Sequence, residues 1–594
     1  MSAFEAMRVV ERPVAESVRR AALDRGYTQL QASVVARRLP DDMADSFEQV
    51  VRPSLSSLDP PDLLPDIEIA SRRIAQAVIC EEDVIIVVDH DCDGISSLMV
   101  IYGALIDAMG VDPARIHCYS SHRLNEGYGV SDGVVDRILA DGHSQGLLIT
   151  ADQGSADEPR IARLAAAGIQ TVVTDHHGID GAGPPSALAC VNPCRADSEF
   201  PDKFVAGCHV AWLVMAQTRR ALIQCGHLTS NAPKLGFLLP FSALGTTADC
   251  VSFARSRNNR LIVQHGLHLI NTRPDPCWQA LAKVKGISGP VTSETLGWIW
   301  GPSINAGGRL DDAMPGFYLF RSSTLDEAMV YAEKLHAANI ERRGIEQKMR
   351  DVALMEAEKQ VKAGARGISV WMKDGHSGIH GVVASRLASA TGRPALCISP
   401  KQGEKGIVTA SARACPGFHV RNAFAWIDAE APGMLKAWGG HEGAGGMRAD
   451  ESDIERLQQL WNQAAMNQVL EVGPQLLTDG PLPGPPTLST LAELAVLEPY
   501  GREFDAPVFA QEAWLISHRR VGEDGKHLQV ELQINGESIK GIWFSAGELA
   551  WKPMPGDCVT VVFTLSDNTY KGRTTVQALI QHMDRAHKSH SNLP

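Results

Sequence analysis

The sequence predicts an α/β protein: a parallel-sheet domain with carboxylates at its strand ends, a long connecting helix, a second α/β domain and a small C-terminal β-barrel. Three observations carry that expectation. Short runs rich in Val, Ile and Leu alternate with helical stretches from about residue 83 to about 320, the pattern of repeated βαβ units. From Thr324 to Val361 there is no Pro and a single Gly, Gly344, among dense Ala, Glu, Lys, Arg and Met, which predicts one uninterrupted helix. Beyond the Pro/Gly-rich stretch 474–486, short alternating runs predict antiparallel strands closing on themselves.

Taken in chain order, residues 1–75 read as a Pro-broken helical cap, with candidate helices at 18–25 and 66–78. The first α/β domain is placed at 76–323. Its runs 84–88, 147–150 and 171–174 lack period-two alternation, as strands buried on both faces do, and 244–248 is a weaker fourth case. Crossover helices are expected at 96–108 and 158–167. The connecting helix fills 324–362. The second α/β domain, 363–473, takes strands at 367–372 and 395–399, a helix at 381–390 and the Gly-rich run 439–446. A linker and barrel occupy 474–594, with strands at 528–534, 538–544 and 558–565.

Composition narrows the class. The chain of 594 residues is too long for one core, and 44% hydrophobic with 21% charged residues is ordinary for a globular protein. No run is long and apolar enough for a membrane span, and the N-terminus lacks a signal-peptide core, so a cytoplasmic protein is expected. The 12 cysteines contain no CxxC pair, which disfavours a zinc ribbon or a disulfide framework. A net charge of −13 argues against a surface coated for nucleic acid. Clustered carboxylates contribute to that deficit, and residues 511–594 balance nine Lys/Arg against nine Asp/Glu.

The chemistry lies where the apolar runs end. Asp89-His90-Asp91-Cys92-Asp93-Gly94, Asp152, Asp175-His176-His177 and Asp249 each follow such a run. In open α/β sheets the crevice beyond the carboxyl ends of the strands is the ligand site. Three aspartates at spacing two repel one another unless a cation neutralises them. An EF-hand is disfavoured, because loop position 12 counted from Asp89 is Val100 rather than Glu. Carboxylates with imidazole suit Mn²⁺ or Mg²⁺, and the set points to a two-metal phosphoesterase. Within it, one histidine ligates and His177 meets phosphate or orients the attacking water. Asp249 is also readable as a helix N-cap, and Cys92 as a small buried residue.

These motifs, in this order, resemble the DHH phosphoesterase superfamily, and the surrounding segments resemble its RecJ family of single-strand-specific 5′-to-3′ DNA exonucleases. The similar segments include Arg123-Leu124-Asn125-Glu126-Gly127-Tyr128-Gly129, Gly245-Thr246-Thr247-Ala248-Asp249, Ile304-Asn305-Ala306-Gly307-Gly308-Arg309-Leu310, Gly439-Gly440-His441 and Glu498-Pro499-Tyr500-Gly501, collinear from about residue 80 to about 580. The resemblance implies a DHH catalytic domain, a DHH-associated substrate-binding domain and an OB-fold-like barrel. It implies two Mn²⁺ or Mg²⁺ ions on Asp89, Asp91, Asp93, Asp152, His176 and Asp249. Asp175 and His177 would act in catalysis, and Arg309 and Asn305 would complete the phosphate environment. Arg123, Ser411 and Arg413 would hold the 5′-terminal phosphate, with Gly440, His441 and His376 in the same DNA-binding lobe. Single-stranded DNA, a helicase and a single-strand-binding protein are the implied partners, in DNA repair and recombination.

Four positions depart from the family pattern: Ser303 for Arg, Gly375 for Trp, and Ala410 and Ala412 for glycines. They concern grip on DNA rather than the metal ligands. Two rival readings share the motifs: a phosphodiesterase for short oligonucleotides or cyclic dinucleotides, and a catalytically silent DNA-binding scaffold. The long helix and terminal barrel favour a polymer substrate over the first, and the complete ligand set opposes the second.

Overall fold

A computed structural model describes residues 6–586 except 125, 469–470, 523, 547–552 and 571. Asn125 of the Arg123 segment and the tail of the 474–594 assignment lie outside the described residues. The chain divides into two compact units, residues 53–472 and residues 1–52 with 473–594.

In the larger unit, five parallel strands lie in the order Ile116–Ser120, Val84–Val88, Gly146–Ala151, Ile169–Thr174 and Ala189–Val191. Every residue of Val84–Val88 is buried, which explains its unbroken apolar run: both faces of the sheet are covered. On one face, helices Asp132–Ala140 and Glu158–Ala166 contribute Val134, Val135, Ile138 and Leu164 to a core with Ile85, Val87 and Leu148.

The connecting helix is Leu325–Lys362, 38 residues and so about 57 Å long at 1.5 Å per residue. Thr324 caps its start by accepting from Glu327 N at 3.3 Å. It packs on Pro276–Lys285, Gly301–Leu310 and Met314–Phe320, and also on helix His380–Thr391 and strand Ile368–Trp371 of the second lobe. That lobe holds a mixed sheet in the order Ala437–Gly440, Ala444–Asp450, Ile407–Arg413, Ala395–Pro400 and Ile368–Trp371. The Gly-rich run is a hairpin: Gly439 pairs with Gly446, Gly440 with Gly445, and His441 N donates to Ala444 O at 2.8 Å. Part of its backbone N–H set is therefore engaged by the hairpin itself.

The smaller unit contains a closed five-stranded barrel of Phe509–Val521, His527–Ile534, Glu537–Trp543, Arg573–Arg585 and Cys558–Tyr570, in that order. Residues 1–75 are not a body of their own. Strand Arg8–Glu11 pairs in parallel with Gln475–Thr478, and Arg38 forms a buried bidentate ion pair with Asp479, one contact being 2.9 Å. The first 52 residues thus belong with the barrel. The expected helices are present as Glu16–Asp24 and Ile67–Ile79, one in each unit. Local pattern cannot reveal such long-range strand pairing.

Candidate active site

Three strand ends and one helix end bring their carboxylates together. Asp89 follows Val84–Val88, Asp152 follows Gly146–Ala151 and Asp175 follows Ile169–Thr174. Asp249 arrives differently, because Leu239–Ala248 is a helix enclosed by helices Cys92–Gly103 and Arg257–Thr272, and Asp249 stands at its C-terminal end. The apolar run 244–248 is therefore not a strand, and Asp249 is not an N-cap. Five apolar residues look alike in a buried helix and a buried strand.

Asp91 caps helix Cys92–Gly103, its Oδ1 accepting from Asp93 N at 2.9 Å and Gly94 N at 3.1 Å. The turn is shaped by close approach: a Cβ on Gly94 would lie 2.2 Å from Asp89 O. Gly94→Ala is expected to destabilise the protein by about 1–3 kcal/mol through this overpacking, measured by urea unfolding. Asn305 Oδ1 accepts from Cys92 N at 2.7 Å, bracing the turn, and Asn305 and Arg309 together line a cavity of about 430 Å³. The Cys92 side chain is buried, as expected. Asp93 is gripped by the N-terminus of helix Gly207–Gln224, accepting from Gly207 N at 2.7 Å and Cys208 N at 3.0 Å. Gly207, which the sequence reading did not single out, lets that helix approach: a Cβ there would stand 2.7 Å from Asp152 Oδ1.

His176 Nε2 lies 3.1 Å from Asp152 Oδ1, 3.6 Å from Asp249 Oδ2 and 3.9 Å from Asp93 Oδ2. One atom each from Asp93, His176 and Asp249 falls within a 4.8 Å group, and a second such group joins Asp89, Asp91 and Asp152. The donors fit divalent ions on an observation of the structure itself. Asp89 Oδ1, Asp152 Oδ1 and His176 Nε2 are buried without a hydrogen-bond partner, an arrangement a cation would satisfy. Asp152 also adopts a left-handed backbone, φ 60°, rare for a non-glycine residue and a mark of a constrained site.

Charge confirms the demand. Burial, then Asp93, Asp91 and the other carboxylates, pushes Asp152 well above its ordinary range, and burial with Asp89 and Asp93 raises Asp91. Burial and His177 lower His176, leaving the neutral imidazole a metal ligand needs. In the metal-free fold, Asp152 and Asp91 hold protons more tightly than in the unfolded chain. Their ionisation therefore penalises that fold, and the penalty disappears as pH falls through their raised folded values. Metal binding releases those protons. The rise in Tm on adding Mn²⁺ is expected to be greater at pH 8 than at pH 6, by differential scanning fluorimetry.

Asp175 is saturated by its own loop: Oδ1 accepts from His176 N at 2.7 Å, His177 N at 3.1 Å and His177 Nδ1 at 2.8 Å, and Oδ2 from Ser155 N at 3.1 Å. Burial opposes the ionised carboxylate, but the His177 contact outweighs it and holds Asp175 below the usual range. Burial likewise pulls His177 down, yet Asp175 pushes it up to about 10. With Nδ1 engaged, the half-exposed His177 ring keeps Nε2 for another partner.

His177 lines a cleft of about 730 Å³ shared with Arg123, Ser411, Arg413, Gly440 and His441. His441 Cε1 lies 3.5 Å from where a Cβ on Gly178 would stand. His376 instead holds the rim turn, its Nδ1 accepting from Gly378 N at 3.1 Å. Among the described residues, none of Arg123, Arg309 and Arg413 has a carboxylate partner. Burial and Arg123 lower Arg309 to about 10, and burial with Arg123 and Arg413 lowers His380 to about 3. A cationic, largely buried cluster with no carboxylate paired to it among the described residues suits a bound anion. The sequence reading did not assign His380, Tyr128 or Arg448 to this lining; His380 and Tyr128 lie in or beside segments already singled out, whereas Arg448 carries no local signal.

The departures are absorbed locally. In strand Ile407–Arg413, Ala410 and Ala412 alternate into the core while Ser411 and Arg413 face the cleft. Ser303 is buried and donates to Ile299 O at 2.8 Å, and a Cβ on Gly375 would meet Met372 Cβ at 2.8 Å.

Comparison with known proteins agrees with this architecture. Residues 83–233 match the DHH family, N-terminal domain; residues 364–467 match the DHHA1 domain; residues 483–582 match the RecJ OB domain. A single-stranded-DNA-specific exonuclease RecJ of Dickeya dadantii is 31% identical over 574 residues, covering 94% of this chain and 97% of that protein. The protein of the same description from Escherichia coli is 31% identical, covering 84% and 87%. A crystal structure of RecJ from Thermus thermophilus in complex with Mn²⁺ shares the fold, with TM-score 0.77, 24% identity and coverage of 98% and 80%. An exonuclease RecJ bound to manganese aligns at TM-score 0.54 and 26% identity, covering 68% and 95%.

Proposed function

Because the chain belongs to the RecJ family, we propose that it is a metal-dependent, single-stranded-DNA-specific 5′-to-3′ exonuclease that releases mononucleotides by phosphodiester hydrolysis. One observation carries the reading: His177 stands beside the buried carboxylates and also lines the cationic cleft, so a single phosphodiester can meet both. The related RecJ structures hold Mn²⁺ or Mg²⁺, and this donor set suits the same ions.

Asp89, Asp91, Asp93, Asp152, His176 and Asp249 would hold the ions. When bound, two such ions supply an activated water and neutralise charge on the leaving oxygen. His177, kept protonated through Asp175, offers its Nε2–H to a phosphate oxygen. Asp175 acts through His177, and Asp175→Asn is expected to lower kcat about 10- to 100-fold with metal affinity largely retained, read by steady-state kinetics. Arg123, Ser411 and Arg413 bind the 5′-terminal phosphate in the same cleft, and Arg309 adds to its field. Asn305 keeps the aspartate turn in register. Gly440, with His441, lines the wall near the first bases.

The process is DNA repair and recombination, in the cytoplasm. A helicase and a single-strand-binding protein are the fitting partners, since both govern access to single strands. No disulfide joins the cysteines among the described residues, and no described helix is long and apolar enough to cross a membrane.

The test compares single-stranded DNA, matched duplex and a dinucleotide with Mn²⁺ and with chelator. Mononucleotides from the single strand alone, only with metal, support the reading. Cleavage of the dinucleotide alone would transfer the chain to short substrates, and binding without cleavage would make it a scaffold.

A further inference from the structure

We infer that Asp83, His117 and His143 form a second metal site, for a transition ion of the Zn²⁺ class, at the amino-terminal edge of the parallel sheet. One ligand atom from each residue lies within 4.8 Å of the other two. His117 Nε2 is 3.8 Å from Asp83 Oδ2, and the two imidazole rings lie 4.3 Å apart at 57°. Around a tetrahedral ion with bonds of about 2.0–2.2 Å, neighbouring ligand atoms stand roughly 3.3–3.6 Å apart. Small rotamer adjustments close that gap.

The backbone holds all three in place. Asp83 immediately precedes Val84–Val88, and His117 lies in the neighbouring strand, aligned with Ile85. His143 sits in the short connection between helix Asp132–Ala140 and strand Gly146–Ala151, which is anchored by Leu147 N donating to Asp83 O at 3.3 Å. Tyr119 meets His143 edge-on at 6.3 Å and is itself fixed by donating to Asp141 Oδ2 at 2.7 Å. Among the described residues, no hydrogen bond occupies either imidazole. The ligands are thus preorganised at the starts of two neighbouring strands and in the adjoining connection.

The donor set separates this site from the carboxylate centre. Two imidazoles and one carboxylate favour Zn²⁺, Co²⁺, Ni²⁺ or Cu²⁺ over Mg²⁺, and leave a fourth position for water. It also lies at the other end of the strand: six residue steps from Asp83 to Asp89 amount to about 20 Å. An ion here would tie the edge strand to its neighbour and to the 141–145 connection.

The experiment uses the full chain, stripped by chelator and resaturated with Mg²⁺ to fill the carboxylate centre. Zn²⁺ is then titrated in competition with a chromogenic chelator, for the wild type and for His117→Gln/His143→Gln. The wild type is expected to bind one more equivalent of Zn²⁺ than the double variant, whose Mg²⁺-dependent DNA degradation stays at the wild-type level. Equal Zn²⁺ stoichiometry and affinity in the two proteins would overturn the site. Should the double variant fail to fold, Co²⁺ added to the Mg²⁺-saturated wild type decides. A four-coordinate visible spectrum supports the site, and a six-coordinate spectrum alone overturns it.

Discussion

His176→Ala is expected to lower DNA hydrolysis by at least about 10³-fold, roughly 4 kcal/mol of activation free energy, while single-strand affinity changes little. The asymmetry follows from where His176 sits. Its Nε2 is within 4 Å of Asp152, Asp93 and Asp249 and is buried without a hydrogen-bond partner. Removing it leaves five crowded carboxylates to hold divalent ions with one neutral donor fewer. The arginines of the cationic cleft, which carry the binding contacts, are retained, although His177 loses its ring contact with His176. Single-turnover cleavage at saturating Mn²⁺ with a parallel binding isotherm separates the two quantities. A proportional loss of binding and cleavage would place His176 in the DNA grip instead.

Arg413→Ala is expected to raise KM for 5′-phosphorylated DNA on the order of 30-fold, about 2 kcal/mol, and to abolish discrimination between 5′-phosphate and 5′-hydroxyl ends. Arg413 is largely buried, donates to Ala412 O at 2.8 Å, and has no carboxylate partner among the described residues. Burial and Arg123 lower its affinity for a proton, so a phosphate would supply the missing counter-charge. Gly381 makes room for it: a Cβ there would lie 3.1 Å from Arg413 Nη2 and 3.3 Å from Ser411 Oγ. Because Arg413 is not among the metal-holding residues, kcat on saturating DNA should hold. A fall in kcat with constant KM would instead assign Arg413 to the chemical step.

The fold was legible wherever local pattern and burial coincide. The runs at 84–88, 147–150 and 171–174 are apolar because their sheet is covered on both faces, and the carboxylates follow at the ligand edge. The helix expected at 324–362 appears as Leu325–Lys362, since nothing within it breaks the pattern. The run 244–248 before Asp249 reads as a weak strand because a short helix enclosed by other helices has no polar face to reveal its period. The pairing of Arg8–Glu11 with Gln475–Thr478 joins chain segments more than 450 residues apart, beyond any local signal. At the site, charged ligands announced themselves by crowding. Gly207 did not, because its contribution is the absence of a side chain beside Asp152, which only the packed structure makes visible.

The polarity of attack is the most direct test of the account. Internally labelled single-stranded DNA, blocked at either the 5′ or the 3′ end, is incubated with Mn²⁺ and followed for mononucleotide release. The account predicts that 5′ blockage stops release and 3′ blockage does not. Release that survives 5′ blockage and stops with 3′ blockage would contradict it.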